Sequence, residues 1–229
     1  MNIQFIQKLT LLDYPCKVAC TVFLHGCNLR CPFCHNAGLV TRPPEAGVSP
    51  EELISLLKKR QGILEGVAVT GGEPLLDDGI FDLLRSIKEL GYPVKLDTNG
   101  FFPDKLERVI KDGLCDYVAM DIKNCEEKYA ETCGLRSVDM DAVKQSIAIL
   151  EKSGIEHEFR TTVVRNFHNR ESLLGAAKLI AGTEHYYLQA YKDSGDTIGG
   201  ACEGYSENEL KALCEAVSAV IPSVELRGM

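Results

Sequence analysis

Short apolar, β-branched runs recur along this chain with amphipathic stretches of about ten residues or more between them. That alternation is the strongest constraint on what the chain can fold into. The first run, Lys17 to Leu24, reads Lys-Val-Ala-Cys-Thr-Val-Phe-Leu, as expected of a strand buried on both faces. Further strands are predicted at Gly66 to Thr70, Pro93 to Asp97, Asp116 to Ile122, His157 to Val164 and Tyr186 to Tyr191. Between them, Ser49-Pro50-Glu51-Glu52 combines an N-cap serine, a first-position proline and a capping-box glutamate, opening a helix to about Arg60. Asp78 to Leu90 sets Ile80, Leu83, Leu84 and Ile87 on one face and stops at Gly91. Helices are also predicted at Asp104 to Lys111, Asp141 to Ser153 and Glu171 to Ala181, and a last one starts at the Ser206-x-x-Glu209 capping box. Ser223 to Leu226 reads as a short terminal strand.

Strands joined by such helices imply parallel βαβ units with right-handed crossovers. Six such strands precede the tail, too few for a closed eight-stranded barrel. No repeat, low-complexity stretch or linker marks a boundary, so residues 1–229 are read as a single domain.

Composition removes several classes of function. The net charge is -8, and no run of lysine and arginine forms a footprint for a phosphate backbone, so nucleic acid is not expected as a partner. No apolar run approaches the roughly 20 residues of a membrane span. The ten cysteines would suggest disulfides in a short secreted chain. The N-terminus Met-Asn-Ile-Gln-Phe-Ile-Gln-Lys lacks the apolar core of a signal peptide, however. The expectation is a cytoplasmic protein with free or metal-bound thiols.

Three of those cysteines stand together. Cys27-Asn-Leu-Arg-Cys31-Pro-Phe33-Cys34-His35-Asn36 follows the first predicted strand directly. Closely spaced thiolates select zinc, copper(I) or iron-sulfur clusters, and a closed structural zinc site needs a fourth protein ligand. Only His35 is adjacent, and a zinc knuckle is the alternative reading. If the occupant is a 4Fe-4S cluster, three cysteines leave one iron open to a small-molecule ligand.

C-x3-C-x2-C with an aromatic before the last cysteine resembles the signature of the radical S-adenosylmethionine (SAM) enzymes. The resemblance implies an α/β fold, a partial (β/α)6 TIM-like barrel. It also implies SAM chelated to the open iron by its amino and carboxylate groups, with Phe33 and His35 beside it. One electron passed through the cluster would cleave the sulfonium and yield a 5'-deoxyadenosyl radical.

Other motifs close predicted strands, where parallel α/β barrels carry their functional loops. Gly71-Gly72-Glu73-Pro74 has glycines that allow close backbone approach and a carboxylate that can meet an ammonium. It resembles the family's GGE motif, which implies contact with the amino group of SAM. Asp97 and Thr98, before an Asn-Gly turn, match an Asp-Thr pair of glycyl-radical activating enzymes that lies near the SAM carboxylate and helps hold a monovalent cation. Asp121-Ile122-Lys123 looks like the Asp-x-Lys motif of the same enzymes, with Lys123 toward the carboxylate or ribose. Arg160 sits in a predicted buried strand, which is costly unless it meets a carboxylate, of SAM or of the protein. Tyr191-Lys192 departs from the pyruvate formate-lyase activase pattern, which carries a histidine where Lys192 falls, and Lys192 is the candidate cofactor contact there.

Of the remaining cysteines, Cys20 and Cys214 read as small buried residues. Cys125, Cys133 and Cys202 fall in loops whose wide spacing is poor support for a second cluster. Ala37 to Val48 contains no cysteine, so the ferredoxin-like insert of some activases is missing. His25 and His168 read as structural or solvated.

Leu11-Leu12-Asp13-Tyr14-Pro15, Thr21 through Cys27, Tyr187-Leu188-Gln189 and the ending Glu225-Leu226-Arg227-Gly228 are similar to activating proteins of anaerobic ribonucleoside-triphosphate reductase, in their longer form. That likeness implies hydrogen abstraction from a glycine of a partner glycyl-radical enzyme, with Asp13 near its glycine loop. It also implies a flavodoxin- or ferredoxin-type electron donor and no side chain acting as acid or base. The alternatives are activation of pyruvate formate-lyase or another glycyl-radical enzyme, a small-molecule radical SAM enzyme such as a carboxy-deazaguanine synthase, and a non-catalytic zinc module.

Overall fold

The structure, a computed structural model, describes residues 1–193 and 195–229. The six strands expected before the tail are present as β2 (Ala19–Leu24), β3 (Gly66–Gly71), β4 (Val94–Thr98), β5 (Tyr117–Asp121), β6 (Glu156–Val163) and β7 (Tyr186–Ala190). The tail adds β8 (Glu225–Arg227), parallel to β7. Neighbours from β2 to β8 are parallel and lie in sequence order within one eight-stranded sheet. This is the curved order of a barrel left open, since its first and last strands do not pair.

The sequence reading did not find β1 (Ile3–Thr10), which pairs antiparallel with β2 at the sheet edge. Its pattern Ile-Gln-Phe-Ile-Gln-Lys-Leu-Thr does not alternate cleanly, and Phe5 and Leu9 remain exposed. Two short helices were also missed, α1 (Ala37–Thr41) and α5 (Glu126–Thr132), because one or two turns carry too little periodicity to read.

The longer helices are α2 (Pro50–Lys59), α3 (Ile80–Glu89), α4 (Pro103–Lys111), α6 (Met140–Ser153), α7 (Arg170–Leu179) and α8 (Glu207–Ser218). Both expected capping boxes form: Ser49 with Glu52, and Ser206 with Glu209. Gly91 closes the end of α3 at φ 83°, its N–H donating to the Lys88 carbonyl, a backbone state that glycine alone takes up freely. On α3, Ile80, Phe81, Leu83, Leu84 and Ile87 are all buried, each worth at most about 1.5–3 kcal/mol of apolar transfer. Val94 and Leu96 of β4 lie in the apolar core, while Lys95 and Asp97 alternate with them on the opposite, barrel face.

Candidate active site

The C-terminal ends of the parallel strands surround a cavity of about 220 Å³. The cysteine loop, Thr70–Glu73, Asp97–Asn99, Asp121 with Lys123, Arg160 and Gln189 line it. Six segments distant in sequence therefore supply one site.

Cys27, Cys31 and Cys34 all face this cavity. The loop bearing them is pinned from outside: the Arg30 N–H donates to the Cys133 carbonyl at 3.0 Å, and its guanidinium donates to the carbonyls of Cys27 and Leu29 at 2.8 and 2.7 Å. Burial pushes the Cys27 thiol up to about 12 and also raises Cys34, whereas the Cys133 thiol beside Cys31 hydrogen-bonds to it and lowers it. Metal loading requires thiolates, so it expels protons here.

His35 is not a fourth ligand. Its ring stacks on Tyr191 at 5.1 Å, and its Nε2 meets the Lys192 carbonyl at 2.8 Å. Among the described residues no three His, Cys, Asp or Glu side chains converge closely enough for a single ion, so the cysteines present no preformed mononuclear zinc site. Three thiols line the cavity while the Cys133 thiol, beside Cys31, does not, which fits a cluster with an open iron. Cys125, Cys133 and Cys202 are each buried.

The glycine pair has a reason that its sequence did not show. A Cβ on Gly71 would lie 2.2 Å from the Leu24 nitrogen, and one on Gly72 would lie 1.8 Å from the Gly26 carbonyl oxygen. The close approach that excludes a side chain is to the protein's own cysteine loop. The Gly72 and Glu73 N–H groups donate to the Leu24 and Gly26 carbonyls at 2.9 and 2.8 Å.

Glu73 is 2% exposed and accepts from Leu75 N–H at 3.0 Å, the Thr98 hydroxyl at 2.9 Å and Asn99 N–H at 2.7 Å. Burial raises it to about 7 despite those three donors. No cation of the protein pairs with it among the described residues.

Asp97, Asp121, Lys123 and Arg160 form one buried ionic network. Arg160 donates to Asp121 Oδ1 by Nε at 3.1 Å and to Asp97 Oδ2 by Nη1 at 3.4 Å. Lys123 Nζ donates to Asp121 Oδ2 at 2.9 Å. Asp97 also receives the Lys95 ammonium. Burial opposes charge on both aspartates, but Lys123 and Arg160 hold Asp121 down at about 2, and Arg160 and Lys95 hold Asp97 below the usual carboxylate range. The protein therefore supplies the carboxylates expected for Arg160. Three cations against two aspartates leave the network one positive charge in excess.

Phe33 is buried and lines the cavity, packed edge-on to Tyr191. Lys192 is exposed and absent from the lining; only its carbonyl, through His35, reaches the rim. Asp13 does not line the cavity, and its carboxylate accepts the Thr21 hydroxyl at 2.5 Å. His168 is structural, with Nε2 on the Lys123 carbonyl at 2.8 Å; His25 lies on the Arg42 carbonyl at 2.9 Å.

Sequence reasoning missed Asn99, Cys133 and Lys95. Asn99 read as a turn residue, yet it is buried, with its amide donating to Asn28 Oδ1 at 2.8 Å and lying 3.8 Å from Cys27 Sγ. Cys133 read as a loop cysteine far from the motif. Lys95 could have been found, since a lysine inside a predicted buried strand needs a partner as much as Arg160 does.

The family model of the radical SAM superfamily matches residues 21–180. A protein named as a glycyl-radical enzyme activating enzyme, from Methanocaldococcus jannaschii, is 33% identical over 97% of this chain and 94% of its own length. The pyruvate formate-lyase-activating enzyme of Clostridium pasteurianum is 30% identical over 85% of this chain and 83% of its own. Among solved structures, Streptococcus suis SuiB bound to S-adenosylmethionine superposes with a TM-score of 0.71 at 16% identity, a likeness of fold. It covers 91% of this chain, which spans about half (52%) of that one. With the matched segment running from inside β2 to just past α7 and enclosing all three cavity cysteines, the chain belongs to the radical SAM superfamily.

Proposed function

We propose that this enzyme is a radical SAM activase that installs a glycyl radical on anaerobic ribonucleoside-triphosphate reductase. The observation that carries the activase reading is a likeness to glycyl-radical enzyme activating enzymes over nearly the whole of this chain. The choice of reductase rests on the N-terminal run through Cys27 and the Glu225–Gly228 ending.

Cys27, Cys31 and Cys34 would hold a 4Fe-4S cluster, which with SAM on its open iron supplies reductive cleavage of the sulfonium and the hydrogen abstraction that follows. The chain's own residues bind and orient. An amino-acid zwitterion needs one carboxylate free of protein cations and one cation in excess. Glu73 is the first, and the Lys123 and Arg160 end of the network is the second. Glu73 would accept from the N–H of the amino group and Lys123 would meet the carboxylate, while Phe33 and Leu29 line the cavity and exclude water. The hydrogen abstracted would come from a glycine of the partner, with electrons from a flavodoxin- or ferredoxin-type donor, and no side chain here acts as acid or base.

The test incubates the reduced, reconstituted protein and SAM anaerobically with candidate partner enzymes and follows electron paramagnetic resonance. A glycyl doublet on the reductase alone is expected. A doublet on pyruvate formate-lyase instead would reassign the partner. Deoxyadenosine formed with no protein radical would move the enzyme to small-molecule chemistry.

A further inference from the structure

The pair matched to a monovalent cation site does not present one. Both oxygens of Asp97 are taken by protein cations, Oδ1 by the Lys95 ammonium and Oδ2 by Arg160 at 3.4 Å. The Thr98 hydroxyl is committed as well, donating to Glu73 Oε1 at 2.9 Å and accepting from Gly100 N–H at 3.2 Å. A potassium or sodium ion on Asp97 would sit against the repulsion of the Lys95 ammonium, 2% exposed, and of the Arg160 guanidinium.

Lys95 precedes Asp97 by two residues on the same barrel-facing side of β4, one layer below the cavity, and does not line it. A side chain that carries a buried positive charge to the underside of a cavity carboxylate does electrostatically what a bound alkali ion would do there. It does so without an association equilibrium.

We infer that Lys95 is a tethered cation standing in place of the monovalent ion, so that SAM binding here is independent of sodium and potassium and becomes dependent on them when the lysine is removed. This rests on SAM docking with its carboxylate at the Lys123 and Arg160 end of the network that includes Asp97, as set out above. Lys95 is a positioning residue: it touches Asp97 and acts on the ligand through it.

The test compares cluster-loaded wild type and Lys95→Met in sodium, potassium and choline chloride at one ionic strength. SAM binding is followed by the change SAM makes in the resonance spectrum of the reduced cluster. For wild type the half-saturating SAM concentration should differ less than about twofold among the salts. For Lys95→Met it should rise about tenfold or more in choline and return to within about threefold of wild type in potassium or sodium. A wild type that binds SAM about tenfold better in potassium or sodium than in choline overturns the inference. So does a variant that is equally impaired in all three salts, or unimpaired. If the variant does not fold, the wild-type series decides alone. If SAM perturbs neither spectrum in any salt, the SAM placement fails instead. Heat denaturation of the cluster-free proteins then decides the cation question: potassium or sodium should stabilise only the variant, and an equal response of both proteins would sink it.

Discussion

Glu73 and Glu158 are buried almost equally in the barrel, 2% and 1% exposed, and are satisfied in opposite ways. Glu158 lies in the deeper layer, two residues before Arg160 on β6. It receives the Arg227 guanidinium through both oxygens at 2.9 Å, and the Tyr117 hydroxyl at 2.9 Å. Arg227 is in turn stacked 3.2 Å over the Tyr187 ring. That cluster is neutral and complete. Glu73, in the layer that lines the cavity, has only dipoles around it, while a few residues away the aspartate network holds more cations than anions. A buried charge closed by its own protein is architecture, whereas a buried charge left open beside an excess of the opposite sign is a site awaiting a ligand.

The largest expected effect separates the two layers of cysteines. Cys31→Ala should lower SAM cleavage roughly 1,000-fold, about 4 kcal/mol, and lose bound iron as read by metal analysis. Cys20→Ala, buried on the helix-facing side of β2, should leave both unchanged; if it does not, the division between cavity and core is wrong.

Next comes pH. Because the folded-state pKa of Glu73 is about 7 and its reference value is 4.5, the folded chain holds a proton that the unfolded chain has lost between those two values. Stability of the cluster-free protein from this group therefore falls as pH rises from 4.5 through 7, by about 3 kcal/mol in all, and is flat above. Urea denaturation at a series of pH values checks it, and Glu73→Gln should flatten that slope. A wild-type profile that rises across the same interval would show that Glu73 has a cation partner after all.

The smallest effects dissociate stability from binding. Arg227→Met removes the partner of Glu158 and should cost about 2 kcal/mol in urea denaturation, less than for a fully buried pair because Arg227 is 34% exposed, while SAM affinity is unaffected. Lys123→Met leaves Asp121 its Arg160 partner. It should cost under about 1 kcal/mol of stability but about tenfold in SAM affinity. If both variants lose the same property, the two layers are not functionally distinct.

Much of this was legible in the chain. Every long helix and every parallel strand announces itself by period, and two of the helices by cap as well, at the Ser49–Glu52 and Ser206–Glu209 boxes. The cavity cysteines, the glycine pair and the network members Asp97, Asp121 and Lys123 each stand in or beside a strand end, where βα loops converge, and Arg160 is a charge inside a predicted buried strand. The edge strand β1 escaped because only its pairing to β2 makes it a strand. Lys192 was drawn by resemblance toward a cavity whose lining it does not join.

The amino-acid order determined the alternation of elements, the three-thiol loop and the burial of Arg160, because periodicity, spacing and side-chain chemistry are local properties. Only the tertiary structure decided which distant charges meet: that Arg160 finds two aspartates, and that Glu73 is left without a cation. Those pairings depend on distances between strands far apart in the chain, and in a low-dielectric interior a few ångströms settle whether a charge is closed or open.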